Sequence, residues 1–212
     1  METSIVHVFV FDTLADWEAS YATSRINDPQ FQKHPAKYSI RTVGLSTESI
    51  VTAGGMRIQP DMSLKDLTPA ESAMFIIPGG VTWDADPDSL SDVTKAAGEF
   101  VKSGIPIAAI CGATSGLARA GLLDTCKHTS NAKEYLAFTG YKGSDYYQDA
   151  PAVTDGNVIT ASSIAALEFA YQILLKLDVY SIEALDAWYG LFKTGKAEYF
   201  YRLMQLVEQD AG

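Results

Sequence analysis

Four short apolar runs, each closed by a turn and followed by residues of helical period, dictate the architecture of this chain. They are residues 5–11 (IVHVFVF), 73–77 (AMFII), 105–110 (IPIAAI) and 157–161 (NVITA). The first leads into residues 14–28, where Leu14, Trp17, Tyr21 and Ile26 recur at roughly helical spacing. The second stops at Pro78-Gly79-Gly80 and precedes a helix expected over about 88–102; helices are also expected over 113–120 and 164–175. Residues 38–43 alternate as a further strand, and 50–58 fold back around Gly54-Gly55 as a hairpin. Strands separated by helices need right-handed crossovers, which give a mainly parallel sheet covered on both faces. The expected fold is therefore a three-layer α/β sandwich forming a single domain over 1–212, with a helical C-terminal part from about 181.

On such a sheet, residues 105–121 (IPIAAICGATSGLARAG) place a thiol where a buried strand stops and a helix begins. That junction lies at the carboxyl edge of a parallel sheet, where open α/β folds build their sites. Cys111 is thus presented rather than packed, and a helix N-terminus next to it should favour the thiolate. Gly112 relieves crowding at the turn, as small neighbours do in a nucleophile elbow. Backbone N–H groups there, and at Gly79-Gly80 after the neighbouring strand, are sources of oxyanion donors. Cys126, with no elbow around it, reads as structural.

Composition narrows the chemistry. A formal net charge of −10 with only scattered Lys and Arg argues against nucleic acid or an anionic membrane surface as partner. No run approaches a membrane span, and the N-terminus has no signal-like core. With two cysteines that form neither a disulfide framework nor a zinc spacing, a cytoplasmic setting is expected, without metal or cofactor.

Taken together, AAICGATSGLARAGLLD, IIPGG some thirty positions earlier and DWE near the first helix resemble the ThiJ/PfpI family of the class I glutamine amidotransferase-like superfamily. The resemblance implies a flavodoxin-like fold and a cysteine nucleophile at Cys111. It further implies a hydrogen-bonding glutamate from the first helix, matched by Glu18, and oxyanion amides at Gly80 and Gly112. A carboxyl held beside sulfur in a partly apolar pocket should have a raised pKa and donate a proton to the thiolate. Many members carry a histidine that completes a Cys-His pair; by ungapped count from the elbow that place falls on Asn131, within a strand read at 127–131 (KHTSN). His128, three residues earlier, is the alternative catalytic partner, but on an extended strand it faces away from Asn131. Asn131 also fits an N-cap, with Glu134 three residues on. Gly79, Trp83, Asp84 and Asn131 are candidate lining for a substrate pocket.

Two functions follow. One is a cysteine-dependent hydrolase of the PfpI type acting on a small carbonyl, amide or nitrile-like molecule. The other is a non-enzymatic thiol sensor whose Cys111 is oxidised beside Glu18. A homodimer is the expected assembly.

Overall fold

The computed structural model describes residues 3–210. In chain order the strands are β1 (Ser4–Phe9), β2 (Tyr38–Gly44), β3 (Ile50–Val51), β4 (Arg57–Ile58), β5 (Met62–Ser63), β6 (Met74–Ile77), β7 (Ile107–Ile110), β8 (Ala152–Asp155) and β9 (Val158–Ala161). The helices are α1 (Ser20–Asn27), α2 (Thr82–Ala85), α3 (Ser91–Lys102), α4 (Gly112–Arg119), α5 (Lys133–Ala137), α6 (Ala166–Lys176), α7 (Ile182–Thr194) and α8 (Ala197–Asp210). Seven strands form one sheet in the order β5-β2-β1-β6-β7-β9-β8, parallel except for the β8–β9 pair; β3 and β4 make a separate hairpin.

Burial on both faces explains the continuous apolar runs of the central strands. In β7, Ala108 and Ile110 face one layer, whereas Ile107 and Ala109 face the other. The first layer packs Ala22 and Ile26 of α1, Phe169 and Ile173 of α6, and Trp188 of α7 against the sheet. The second packs Val93, Ala97 and Phe100 of α3 and Leu117 of α4. The three-layer, mainly parallel architecture read from the sequence is thus the one observed.

Two local expectations are corrected and one strand is added. Residues 14–19 form turns and a bridge, and helical structure begins only at Ser20, so Glu18 sits in the approach to α1. Asp12 and Asp16 explain why: their carboxylates accept from the N–H groups of Val51 and Gly54, tying this segment to the β3–β4 hairpin. Residues 127–131 are not a strand; His128 makes one isolated bridge with Tyr147. The edge strand β8 was not expected, its sequence AVTD being short and polar at one end.

Candidate active site

β7 ends at Ile110, and Cys111 turns the chain directly into α4 with φ 59° and ψ −126°. A non-glycine residue held at positive φ costs on the order of 1–3 kcal/mol and persists only where its surroundings fix it. Here they do. The Cys111 N–H donates to the carbonyl of Ala161 on β9 at 3.0 Å. Its own carbonyl accepts from Thr114 N at 3.1 Å and from Thr114 Oγ1 at 2.6 Å, and Ser130 Oγ lies 2.6 Å from Thr114 Oγ1. Because the Thr114 hydroxyl proton goes to the carbonyl, Ser130 is the donor to Thr114, locking the 129–131 loop onto the elbow.

Gly112 and Gly116 are required by what lies beneath them. Trp83 fills the space under α4, and a Cβ at Gly112 would lie 2.8 Å from Trp83 Cβ. With 1% exposure and its Nε1–H donating to the Pro78 carbonyl at 3.0 Å, Trp83 is a packed support of the elbow. Its expected place in a substrate pocket is corrected accordingly. Gly79 is corrected too. It is buried, and its N–H donates to Glu18 Oε2 at 2.5 Å. A side chain there would put Cβ 2.7 Å from Cys111 Cβ and 2.8 Å from Glu18 Oε2. Gly79 is therefore a spacer between the Cys111 side chain and the Glu18 carboxyl. Gly80 is half-buried beside it, and Gly112 heads α4, where N–H groups have no partner within the helix.

Glu18 is fully buried, and burial pushes its carboxyl up to about 7, with the bonds from Gly79 and Cys111 opposing the rise. Since Oε2 accepts from Gly79, the proton of the neutral acid belongs on Oε1, which is buried with no hydrogen-bond partner among the described residues. The Cys111 thiol neighbours the carboxyl, and each shifts the pKa of the other. The upward direction of the Glu18 pKa is the one expected for a carboxyl buried beside sulfur.

The thiol itself departs from it. Burial, then the Glu18 charge, push Cys111 up to about 11, against the pull of the Asn131 amide and the Gly112 N–H. Cys126 is pushed to about 11 as well, by burial and Asp155. Two negative charges beside each other in a buried site oppose one another, so the Cys111–Glu18 pair holds a single charge and one proton between about 7 and 11. A helix N-terminus alone does not overcome that.

Asn131 does reach the sulfur: its Nδ2 lies 3.5 Å from Cys111 Sγ, while its Oδ1 accepts from Ser163 N at 2.8 Å. It is not the cap of α5, whose N-cap is Ala132 with no side-chain bond. His128 is not brought to Cys111. The fully buried ring donates from Nδ1 to the Cys126 carbonyl at 2.8 Å, accepts at Nε2 from Tyr141 OH at 3.2 Å, and sits edge-on to Tyr141 and Tyr147. Its expected catalytic role is corrected: the loop turns it into this aromatic box, where burial lowers its pKa and keeps it neutral. His128→Ala is expected to lower the melting temperature by several degrees, while mass-mapped iodoacetamide labelling of Cys111 stays within a few-fold of wild type. A hundredfold loss of labelling in the folded variant would return His128 to the site.

Asp84 lies at the exposed end of this region and accepts from Tyr135 OH at 2.6 Å, joining α2 to α5. The sequence reading passed over Tyr135 and Ser163. Ser163 was accessible to it in principle, because it follows β9, a direct neighbour of β7, at the same carboxyl edge. A cavity of about 630 Å³ opens on the far side of Asn131, walled also by Ile164, Glu168 and Lys193. Cys111 is not among its walls, whereas Asn131 both lines this space and reaches the sulfur. No cluster of three or more potential metal-binding side chains occurs among the described residues, and no helix there is long and apolar enough to cross a membrane.

The profile of the DJ-1/PfpI family matches residues 4–176. A curated relative from Bacillus subtilis, "Uncharacterized protease YoaZ", is 43% identical over 99% of this chain and 100% of its own length. "Glutathione-independent glyoxalase DJR-1.2" of Caenorhabditis elegans is 33% identical, covering 64% of this chain and 71% of its own. Among solved structures, a thiJ/pfpI family protein from Bacillus anthracis superposes with a TM-score of 0.90 at 44% identity, with 97% of each chain covered. With an elbow cysteine, a buried glutamate beside it and these likenesses over nearly its whole length, the chain belongs to the DJ-1/PfpI family.

Proposed function

We propose that this protein is a cysteine-nucleophile enzyme acting on a small carbonyl-type substrate, including amides or nitriles of comparable size, with hydrolysis of the PfpI type as its reaction. The observation that carries the proposal is the strained Cys111 backbone beside the buried, unpaired Glu18 oxygen. Backbone at positive φ is maintained at a cost, and such strain clusters at active sites and ligand clamps. Sulfur adds to the carbonyl carbon as the C=O π bond breaks. The thiol proton passes to Glu18, and the developing oxyanion meets the N–H groups of Gly80 and Gly112. Collapse of the adduct expels the leaving group, which takes the proton back from Glu18, and water releases the acyl group from sulfur. The names of two relatives, a protease and a glyoxalase, both denote carbonyl substrates and support this reading.

A second reading, a thiol oxidation sensor, is favoured by one observation: the Glu18 carboxyl can donate to an oxidised sulfur from the same buried position. A panel of small aldehydes, activated amides and esters, and nitriles, assayed with wild type and Cys111→Ala, separates the two. Turnover of at least one compound, lost by about 10³-fold or more in the variant, is expected for the enzyme. Turnover that survives in Cys111→Ala refutes it.

A further inference from the structure

Trp17 is 55% exposed, an unusual position for the largest apolar side chain, yet its indole is not idle. Its Nε1–H donates to the Ser163 carbonyl at 3.2 Å. The N–H of that same residue donates to Asn131 Oδ1 at 2.8 Å, and Asn131 Nδ2 lies 3.5 Å from Cys111 Sγ. A backbone N–H can only donate, so the amide oxygen of Asn131 must face Ser163 and its NH₂ must face the sulfur. The orientation of the carboxamide is therefore fixed by the chain and not free to flip.

We propose that Trp17, Ser163 and Asn131 form a donor relay that holds an N–H against the Cys111 sulfur, with Asn131 as the direct thiolate donor and Trp17 as a positioning residue acting through the Ser163 residue. Where an imidazole could take a proton, this amide can only give a hydrogen bond, so proton transfer at the sulfur is left to Glu18. The second Nδ2 hydrogen points away from the bond to sulfur. It supplies a donor for a carbonyl or hydroxyl oxygen of a substrate approaching past Asn131 from the adjoining cavity. Two consecutive residues, Trp17 and Glu18, thereby act on one sulfur from different sides, the first through three hydrogen bonds and the second directly.

The proposal rests on Cys111 being the reactive thiol, and its test reads that thiol without requiring turnover. The titratable groups facing the sulfur are Glu18 and, from α5, Tyr135. Neither is altered by the variants. The rate of Cys111 alkylation by iodoacetamide, mass-mapped across pH 6–11, would be measured for wild type, Asn131→Ala, Asn131→Asp and Trp17→Phe. Loss of a hydrogen bond to a charged acceptor should make the reaction about tenfold slower at neutral pH in Asn131→Ala. Asn131→Asp, which replaces the donor by a charge, should slow it further. Trp17→Phe keeps an aromatic side chain while removing the N–H donor together with the five-membered ring, and should slow the reaction about threefold by loosening the relay. A Trp17→Phe profile overlaying wild type overturns the relay, and an Asn131→Ala rate equal to that of wild type overturns the donor. Failure of both with Cys111 still the labelled residue leaves the nucleophile reading standing. Absence of labelling at Cys111 in wild type removes the nucleophile reading and the relay together.

Discussion

Replacing Glu18 by Gln is expected to lower turnover by about 10²-fold or more while making the protein more stable at pH 8, two effects of opposite sign from one substitution. Glutamine can still accept from Gly79 N and still donate toward the sulfur, so the hydrogen-bonding shape of the site is kept. What disappears is the ability to take and return a proton. The stability effect follows from linkage. The folded-state pKa of Glu18, about 7, lies above its ordinary 4.5. Its contribution is thus fully present below pH 4.5 and is lost as pH rises through 7, where a buried carboxylate must be tolerated. The variant has no such slope. Thermal melts from pH 5 to 8 should show wild type declining relative to Glu18→Gln. Parallel melting curves across that range would mean that Glu18 ionises as readily in the folded state as in the unfolded one. The same variant also divides the two functional readings: a sensor that needs only a donor beside sulfur keeps its peroxide sensitivity, whereas an enzyme that needs a proton carrier loses its activity.

Trp83→Ala should cost about 3–5 kcal/mol, the range for truncating a large buried aromatic side chain. For a domain of this size that corresponds to a fall in melting temperature of roughly 10 °C. Trp83 stands against Gly112 and Gly116 on one side and edge-on to Phe11 at 6.2 Å on the other, so a cavity opens directly under the elbow. The loss should therefore reach the thiol: the strained conformation of Cys111 depends on α4 being held from below. Differential scanning calorimetry combined with labelling kinetics would read both. A drop of only a degree or two, with altered substrate affinity, would make Trp83 a pocket wall after all.

The sequence by itself determined the sheet and the place of the elbow cysteine. Runs such as MFII and IAAI, apolar at every position, have no stable place except between two layers of helices, and that burial leaves a cysteine after IAAI standing at the carboxyl edge. Period and polarity are local properties, legible along the chain. Glu18 and its raised pKa could be anticipated from the family resemblance and from the cost of a buried carboxylate, though the turn that carries it could not. That turn is set by Asp12 and Asp16 bonding to a hairpin some forty residues away. Tertiary structure alone decided the fate of the histidine. His128 and Asn131 are three apart, and strand parity was a sound guide only if they lay on a strand. They lie instead on a loop shaped by Ser130 against Thr114, Thr129 against Ala150 and the tyrosines around His128. Likewise the acidity of Cys111 depends on how a helix terminus, a buried carboxyl and an amide from three separate segments balance around one sulfur. Such a balance is a matter of distances and burial, which side chains acquire only when the chain has closed on itself.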